Sequence, residues 1–340
     1  MAIIDTNGVE VSRRLEWIDI AKGIGIILVV VGHAGRGLSG AELPDRNDFL
    51  PLMDETIYAF HMPLFFLLSG ITFGMRPPTT IQASLVKRPQ RFVYTIIIWT
   101  YAFLAMQALA GSSSNAGGSW QNLLQAPLPP FAHFWFLWAL LINSVIFSVL
   151  QMALRHILSD LKFWSGAVIV SGAIDFAVDV PQKIVPWVAP ALNYSLVFAI
   201  GGLIGATPLV RAVPSLKIAL FGSFLFVSSL WIRVTIDLPI NQTIGGLFIS
   251  IFFIFPIILI SNCFGKSFPG RVLAFLGVIS LAVYVMHTMF SAFMRIFLIK
   301  AGYTDLTLHL VLGVLIGIMG PLTFYLAARR LNILHVTGLA

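Results

Sequence analysis

Ten continuous apolar stretches, each long enough to cross a lipid bilayer, constrain the fold of this chain more than any other feature. They fall at 17–37, 51–75, 91–111, 131–154, 163–181, 190–209, 215–236, 242–262, 271–299 and 306–328. Membrane-spanning β-strands alternate apolar and polar residues, whereas these stretches are apolar throughout, so the spans are expected to be helices. The sequence therefore predicts an all-α integral membrane protein with about ten transmembrane helices.

The composition agrees with a membrane-embedded chain. Of the 340 residues, 58% are apolar and only 10% are charged, against about 25% charged residues in a soluble domain. No soluble domain fits between the apolar stretches. We therefore expect a single membrane domain over 1–340, with a cytoplasmic tail at 1–16, a transmembrane bundle at 17–328 and a second cytoplasmic tail at 329–340. The one cysteine, Cys263, allows no intrachain disulfide.

The distribution of positive charge predicts the orientation of the helices. Of the 21 lysines and arginines, 15 fall on the side of the N-terminus. The six on the other side are Arg36, Arg46, Lys183, Arg233, Arg295 and Lys300. Basic residues gather in cytoplasmic loops, so both termini are expected in the cytoplasm, in a multi-pass protein of the cell (inner) membrane. The same rule accounts for the net charge of +7, so we expect no nucleic-acid partner.

Ionisable residues inside the first apolar stretch are candidates for function, because inserting such a group costs at least ~2.5 kcal/mol. Lys22 and His33 are eleven residues apart, which places them on one helix face with a rise of roughly 16 Å between them. Asp19 lies one turn before Lys22 and is placed to pair with it. The alternative for both Asp19 and Lys22 is a position at the membrane interface.

Two further histidines are predicted to lie near the level of His33. Counting residues along the second and ninth stretches puts His61 near the midplane and His287 at the depth of His33, although depth alone does not fix lateral distance. Interhelical hydrogen bonding is the alternative role for His61 and His287. Pro63 is expected to free a backbone carbonyl one turn earlier and to bend the second helix. The histidines lack the His-x3-His spacing of metal ligands, so we expect no metal.

The start of the fourth stretch carries candidates for substrate binding. His133 and Trp135 lie at its predicted outer mouth, where an interfacial aromatic belt is the alternative role for the tryptophan. The pairs Gly201/Gly205 and Gly313/Gly317 have the spacing of close helix packing. Such packing occurs within one protomer or between two, so the sequence is compatible with a monomer and with a homo-oligomer.

Four segments together resemble acyltransferase family 3, in particular its fucose 4-O-acetylase-like branch, which includes exopolysaccharide acyltransferases. They are residues 17–33, 60–70, 134–137 and 280–287. The first carries the family pattern of a basic residue, ten residues and then a histidine, which Lys22 and His33 match. Relatives more often have arginine at the basic position, so this chain keeps the charge and changes the residue type. The four segments follow the family's order along the chain.

The resemblance implies transfer of an acyl group from cytoplasmic acyl-CoA to a hydroxyl of a carbohydrate or lipid-linked glycan bound for the cell surface. Acetyl-CoA is the expected co-substrate, with succinyl as an alternative acyl group. His33 is then expected to be the general base, and an acyl-histidine intermediate is the variant mechanism. His61 or His287 would orient His33 or stabilise the oxyanion, and Asp19 completes the candidate catalytic set.

The same reasoning selects residues for the two substrates. Basic residues near the inner surface are candidates for the CoA phosphates, with plain topology-setting charge as the alternative. They are Lys22, Arg76, Lys87, Arg88 and Arg91. Tyr284 joins His133 and Trp135 as a candidate for acceptor binding.

Two other classes of function stay open. A transporter or flippase with a polar midplane site also suits ten helices with central histidines. Transporters favour broken helices in matched positions of two halves, and the sequence shows no such matched pair. A membrane scaffold or receptor without chemistry leaves the histidines at one level unexplained. Dependence on CoA separates the enzyme from the transporter.

Overall fold

The computed structural model describes residues 3–4, 10–11, 15–43, 45, 48–77, 80–115, 120–121, 124, 131–177, 187–212, 214–236, 242–264 and 267–339. Thirteen α-helices fall in these ranges. They are α1 (Glu16–Ser39), α2 (Phe49–Tyr58), α3 (His61–Gly74), α4 (Arg88–Ala110), α5 (Trp135–Leu154), α6 (Asp160–Ala177), α7 (Ala189–Asn193), α8 (Ser195–Gly205), α9 (Leu216–Thr235), α10 (Gln242–Phe264), α11 (Phe268–Val278), α12 (Ser280–Lys300) and α13 (Leu306–Arg330). A π-helical turn, Gln82–Lys87, precedes α4, and a 3-10 turn, Ala132–Phe134, precedes α5.

The predicted N-terminal tail contributes the only strands in the described part of the chain. β1 (Ile3–Ile4) and β2 (Glu10–Val11) pair antiparallel. The rest of the tail up to residue 14 lies outside the described residues.

Each of the ten predicted stretches coincides with one or two helices. Seven helical segments in the described ranges are long and apolar enough to cross a bilayer. They are Glu16–Ser39, Phe49–Gly74, Ser84–Ser113, Ala132–Leu154, Ile244–Cys263, Ser280–Lys300 and Leu306–Arg330. The chain is therefore a helical protein with several membrane-spanning segments. The count of ten spans and the position of the termini stay predictions, and the end of the fifth stretch, 178–181, lies outside the described residues.

The second predicted span is interrupted in its middle. Helix α2 ends at Tyr58 and α3 begins at His61. Ala59, inside this interruption, lies one turn before Pro63, which has no N–H to donate to the Ala59 carbonyl. The next carbonyl, of Phe60, accepts from Leu64 N at 2.9 Å and from the Ser250 hydroxyl of α10 at 3.0 Å. The Phe60 carbonyl is thus satisfied within the helix, and its second bond ties the interruption to α10. The sixth and ninth predicted spans are also divided, at Tyr194 and Ile279.

Close backbone contacts hold the bundle around α1 and α3. Helix α1 packs against α2, α3, α10, α11, α12 and α13. Its Gly23 faces the Leu273 carbonyl of α11, and Gly277 of α11 faces the Asp19 carbonyl of α1. Helices α3 and α8 approach through glycines on both sides, where Gly201 lies against Gly70 and the Leu67 carbonyl. These contacts fix α1, which carries Lys22 and His33, in the centre of the molecule.

Candidate functional site

Three histidine rings from three elements meet beside α1. The ring centroid of His33 on α1 lies 5.0 Å from that of His287 on α12 and 6.0 Å from that of His133 in the 3-10 turn before α5. The rings of His133 and His287 are 5.2 Å apart. We call His33, His133 and His287 the histidine cluster. The sequence predicted the same membrane depth for His33 and His287 but not their lateral distance, and the structure shows that the two rings are in contact range.

Backbone carbonyls orient one ring of the cluster and leave acceptor nitrogens unused. His287 Nδ1 lies 2.7 Å from the Tyr284 carbonyl and 3.2 Å from that of Val283. A carbonyl only accepts, so this geometry assigns the proton to Nδ1 and leaves Nε2 of a neutral ring as an acceptor. Nε2 of His287 and Nε2 of His133 are both buried without a hydrogen-bond partner. Buried polar atoms of this kind are costly unless a substrate or water uses them.

His61 reaches the cluster through Tyr58 rather than directly. The ring centroids of Tyr58 and His61 are 4.2 Å apart in an edge-on arrangement, and the Tyr58 hydroxyl lies 3.3 Å from His33 Nε2. His61 itself is buried, with Nδ1 2.9 Å from the Ile57 carbonyl. The interruption between α2 and α3 places Tyr58 and His61 at the two adjoining helix ends.

Arg36, paired with Asp54, also lies over the Tyr58 ring. The guanidinium carbon of Arg36 lies 3.1 Å from the centroid of the Tyr58 ring. Two nitrogens of Arg36 donate to Asp54 at 2.6 and 3.1 Å, the forked geometry that arginine makes with carboxylates. Tyr58 is not among the residues predicted from the sequence, and Arg36 appears there only among the basic residues that predict the orientation of the helices. Both follow from helix spacing, because Arg36 lies one turn after His33, and Tyr58 lies one turn after Asp54.

A cavity of about 590 Å³ lies at the end of the bundle where α1 begins. Its basic lining residues are Lys22 of α1, Arg76 just beyond α3, and Arg88 at the start of α4, with Asp19 as the acidic one. We call it the Lys22 cavity. Lys87 and Arg91, the other two basic candidates, are exposed and lie outside its lining. The cavity thus combines three cationic side chains with an otherwise largely apolar wall.

A second cavity, of about 480 Å³, lies at the opposite end, where α1 and α4 finish and α13 begins. We call it the Arg295 cavity. Polar or charged residues of its lining include His33, Arg36, Gln107, Thr288, Arg295 and His309. Its rim also includes Leu109 and Phe293, which are 72% and 60% exposed. In a membrane-spanning bundle such apolar exposure faces lipid.

The histidine cluster borders the Arg295 cavity directly and the Lys22 cavity through Tyr284. Tyr284 lines the Lys22 cavity, and its hydroxyl donates to the backbone carbonyl of His133. His33 lines the Arg295 cavity. The polar cavity thus reaches the cluster at His33, and the basic cavity reaches Tyr284, which contacts His133.

The structure distributes the predicted site residues unevenly. It brings His33, His133, His287 and Tyr284 together, although Tyr284 borders the cavity opposite to the one expected for an acceptor-binding residue. Trp135 is half-buried, stacks on Tyr194 with ring centroids 5.8 Å apart and borders neither cavity. The roles of all these residues stay predictions. No group of three or more His, Cys, Asp or Glu residues in the described ranges is arranged to hold a metal ion.

Fold and site together define a multi-pass helical membrane protein with a buried histidine cluster between two cavities. The chain belongs to acyltransferase family 3, because the family model described as "Acyltransferase domain" matches residues 15–326. This confirms the family resemblance of the four sequence segments.

Two curated relatives are similar over part of the chain. The nodulation protein NolL of Mesorhizobium japonicum is 26% identical over 202 residues, which is 58% of this chain and 49% of that protein. The protein of the same name from Sinorhizobium fredii is 27% identical over 154 residues, or 45% of this chain and 40% of that protein. The matched region thus spans half or less of the length of these relatives. No solved structure matches the chain.

Proposed function

We propose that this protein is a membrane-embedded O-acyltransferase that moves an acyl group, in the first place acetyl, from cytoplasmic acyl-CoA to a hydroxyl of a cell-surface carbohydrate or glycolipid precursor. The observation that carries the proposal is the histidine cluster between a basic cavity and a polar cavity. Membership of acyltransferase family 3 supports the reaction class. The protein acts in this proposal as one multi-pass domain of the inner membrane, with both termini in the cytoplasm.

The Lys22 cavity suits the donor. CoA is polyanionic at one end, and Lys22, Arg76 and Arg88 provide one ammonium group and two planar guanidinium groups for its phosphates. The acyl-bearing arm then runs along α1 toward the cluster, over the rise of roughly 16 Å between Lys22 and His33. Lys87 and Arg91, exposed nearby, add positive potential at the entrance.

His33 suits the role of general base on the acceptor hydroxyl, because it lines the cavity opposite to the donor. It takes the hydroxyl proton while the oxygen attacks the thioester carbonyl. The tetrahedral intermediate collapses with cleavage of the carbon–sulfur bond, and the proton passes from His33 to the leaving CoA thiolate. The products are an O-acyl ester and free CoA, so atoms and charges balance.

The neighbouring groups suit positioning roles. His287 with its proton on Nδ1 presents an acceptor nitrogen toward the cluster, which fits orientation of His33 better than stabilisation of an oxyanion. Tyr58 fixes His33 from the other side through its hydroxyl. Asp19, buried on the face of Lys22, tunes the charge of the donor cavity.

Binding of the donor tests the proposal. The purified protein in detergent is titrated with acetyl-CoA while its thermal unfolding is followed, in the wild type and in His33→Ala, Lys22→Ala and Lys162→Ala. Saturating ligand at a hundred times Kd stabilises a folded protein by about 2.7 kcal/mol. We expect this shift in the wild type, and we expect an unchanged Kd in His33→Ala, whose side chain lines the other cavity.

Lys22→Ala is expected to raise the Kd by about tenfold, which corresponds to about 1.4 kcal/mol of a charge-assisted contact. Lys162 is exposed and outside the cavity lining, so Lys162→Ala is the matched control and keeps the wild-type Kd. Absence of stabilisation by any acyl-CoA would overturn the proposal and favour the transporter.

A further inference from the structure

Arg295 is a buried cation without a carboxylate partner. It lies near the end of α12, with 7% of its surface exposed. Arg36, which also lines the Arg295 cavity, pairs with Asp54, and no described carboxylate lies within 4.0 Å of Arg295. No aspartate or glutamate in the described ranges lines the Arg295 cavity. A buried charge is stabilised by an opposite charge or by hydrogen bonds, and Arg295 has no carboxylate partner among the described residues.

The protein positions Arg295 but uses little of its bonding capacity. Its Nη1 donates to the Gly37 carbonyl at 2.6 Å, among the last carbonyls of α1, where the helix dipole offers about half a negative charge. A side chain at position 37 would place its Cβ 2.8 Å from Nη1, so glycine makes room for the guanidinium. A guanidinium has five N–H donors. The Gly37 carbonyl engages one of them, and the group lines an open cavity.

The same cavity carries acceptor atoms that also lack partners. Gln107 Oε1, Thr288 Oγ1 and His309 Nδ1 are buried without a hydrogen-bond partner. His309 is 1% exposed, and its Nε2 lies 3.0 Å from the Tyr303 carbonyl, which assigns the proton to Nε2 and leaves Nδ1 as an acceptor. Acceptors of this kind pair with donors such as sugar hydroxyls. A cation and several acceptors thus surround one cavity that also contains His33.

We propose that the Arg295 cavity binds an anionic sugar as acceptor, with a carboxylate or phosphate group on Arg295 and hydroxyl groups on Gln107 and His309. The inference rests on the proposed function, because it names the substrate class of that site. A planar guanidinium matches both anions through two parallel hydrogen bonds. With its anion on Arg295, the sugar presents another hydroxyl to His33 in the same cavity.

Direct binding of three soluble sugars tests the inference. Glucose, glucuronate and glucose 1-phosphate are titrated into the reconstituted full-length protein by calorimetry, in the wild type and in Arg295→Met, Arg295→Lys and Lys300→Gln. We expect at least one of the two anions to bind about tenfold or more tightly than glucose. The tighter anion identifies whether the acceptor group is a carboxylate or a phosphate.

The variants assign the preference to one side chain. Arg295→Met is expected to reduce the ratio of anion to glucose affinity to about one, and Arg295→Lys to keep part of it, because lysine retains charge but not the fork. Lys300→Gln removes an exposed charge from the same helix and is expected to keep the wild-type ratio. Equal affinity for all three sugars, no measurable anion binding, or a preference that persists in Arg295→Met overturns the inference.

Acetyl-CoA affinity is measured in the same samples. If acetyl-CoA binds and the anions show no preference, the inference fails while the proposed function stands. If acetyl-CoA does not bind either, the proposed function itself fails.

Discussion

Tyr58 links the histidine cluster to the pair of Arg36 and Asp54. Its hydroxyl lies 3.3 Å from His33 Nε2, while its ring is held between the Arg36 guanidinium and the His61 ring, at 3.1 and 4.2 Å. A cation over an aromatic face stabilises by about 0.5–2 kcal/mol, depending on exposure. These two contacts hold the ring in place and so position the hydroxyl that contacts His33.

Replacement of Tyr58 by phenylalanine keeps the clamped ring and removes only the hydroxyl. We expect kcat for acyl transfer to fall by about tenfold, because one orienting hydrogen bond of about 1.4 kcal/mol is lost from the base. The KM for acyl-CoA is expected to stay unchanged, since Tyr58 does not line the Lys22 cavity. Steady-state kinetics on the reconstituted protein measure both quantities.

Tyr94→Phe is the matched control for this prediction. The Tyr94 hydroxyl also makes one hydrogen bond, to the Val336 carbonyl at 2.8 Å, but it lies away from the cluster. A kcat within twofold of the wild type in Tyr58→Phe, or an equal loss in Tyr94→Phe, contradicts the positioning role of Tyr58.

At the scale of residues, helix periodicity predicts shared faces but not neighbours on other helices. Lys22 and His33 were placed on one face of α1 by counting alone, whereas the proximity of His287 needed the structure. His133 was expected at an outer mouth, yet it is buried in the cluster. The cause is local: the 3-10 turn begins at Ala132 with φ of 47°, a conformation that a run of apolar and aromatic residues does not indicate.

Among the helices, α3 and α8 approach each other closely because glycines line their contact. A Cβ on Gly201 would meet the Leu67 carbonyl and the Gly70 backbone, and a Cβ on Gly205 would meet the Ile71 backbone. In a bilayer, helices associate by such close packing rather than by hydrophobic burial. Helix α3 begins with His61, so a change in the distance between α3 and α8 would also move His61 relative to Tyr58.

Gly201→Ala is expected to destabilise the protein by about 1–3 kcal/mol, since the added methyl group overpacks backbone that has no room to move. Thermal unfolding in detergent measures this loss. The gain in helix propensity from glycine to alanine, up to about 1 kcal/mol, acts in the opposite direction.

Gly166→Ala isolates the packing effect. Gly166 is also inside a helix, α6, but a Cβ there meets no atom within 4 Å. The same gain in propensity applies, so Gly166→Ala is expected to be neutral or slightly stabilising. If the two variants unfold at the same temperature, the glycine contact between α3 and α8 does not limit stability.

At the scale of elements, the apolar stretches locate the helices but not their interruptions. The prediction that Pro63 frees a carbonyl one turn earlier identified the right place in the second span. It did not indicate the tertiary contact beside that carbonyl, because the Ser250 hydroxyl that bonds the neighbouring Phe60 carbonyl lies 190 residues away in the sequence. The breaks at Tyr194 and Ile279 have no proline at the corresponding position, so they depend on tertiary packing that sequence pattern does not contain.

In the whole molecule, the Lys22 cavity, the histidine cluster and the Arg295 cavity follow one another from one end of the bundle to the other. The Lys22 cavity lies at the end predicted to face the cytoplasm, where 15 of the 21 basic residues gather. The Arg295 cavity lies at the other end, and His33 stands where it meets the cluster. Donor and acceptor are therefore expected to reach His33 from opposite faces of the membrane.

Sided transfer from labelled acetyl-CoA, which does not cross membranes, tests this central claim most directly. Everted inner-membrane vesicles that contain the protein are supplied with radiolabelled acetyl-CoA, and label in the glycan fraction is measured for the wild type, His33→Ala and His156→Ala. We expect incorporation by everted wild-type vesicles and none by right-side-out vesicles. His33→Ala is expected to reduce incorporation by about 10²–10⁴-fold, the usual contribution of a general base.

His156 is exposed and remote from the cluster, so His156→Ala is expected to match the wild type. Equal incorporation by right-side-out vesicles, or incorporation by His33→Ala vesicles at the wild-type level, contradicts an acyltransferase in which His33 joins a cytoplasmic donor cavity to an acceptor cavity on the other side.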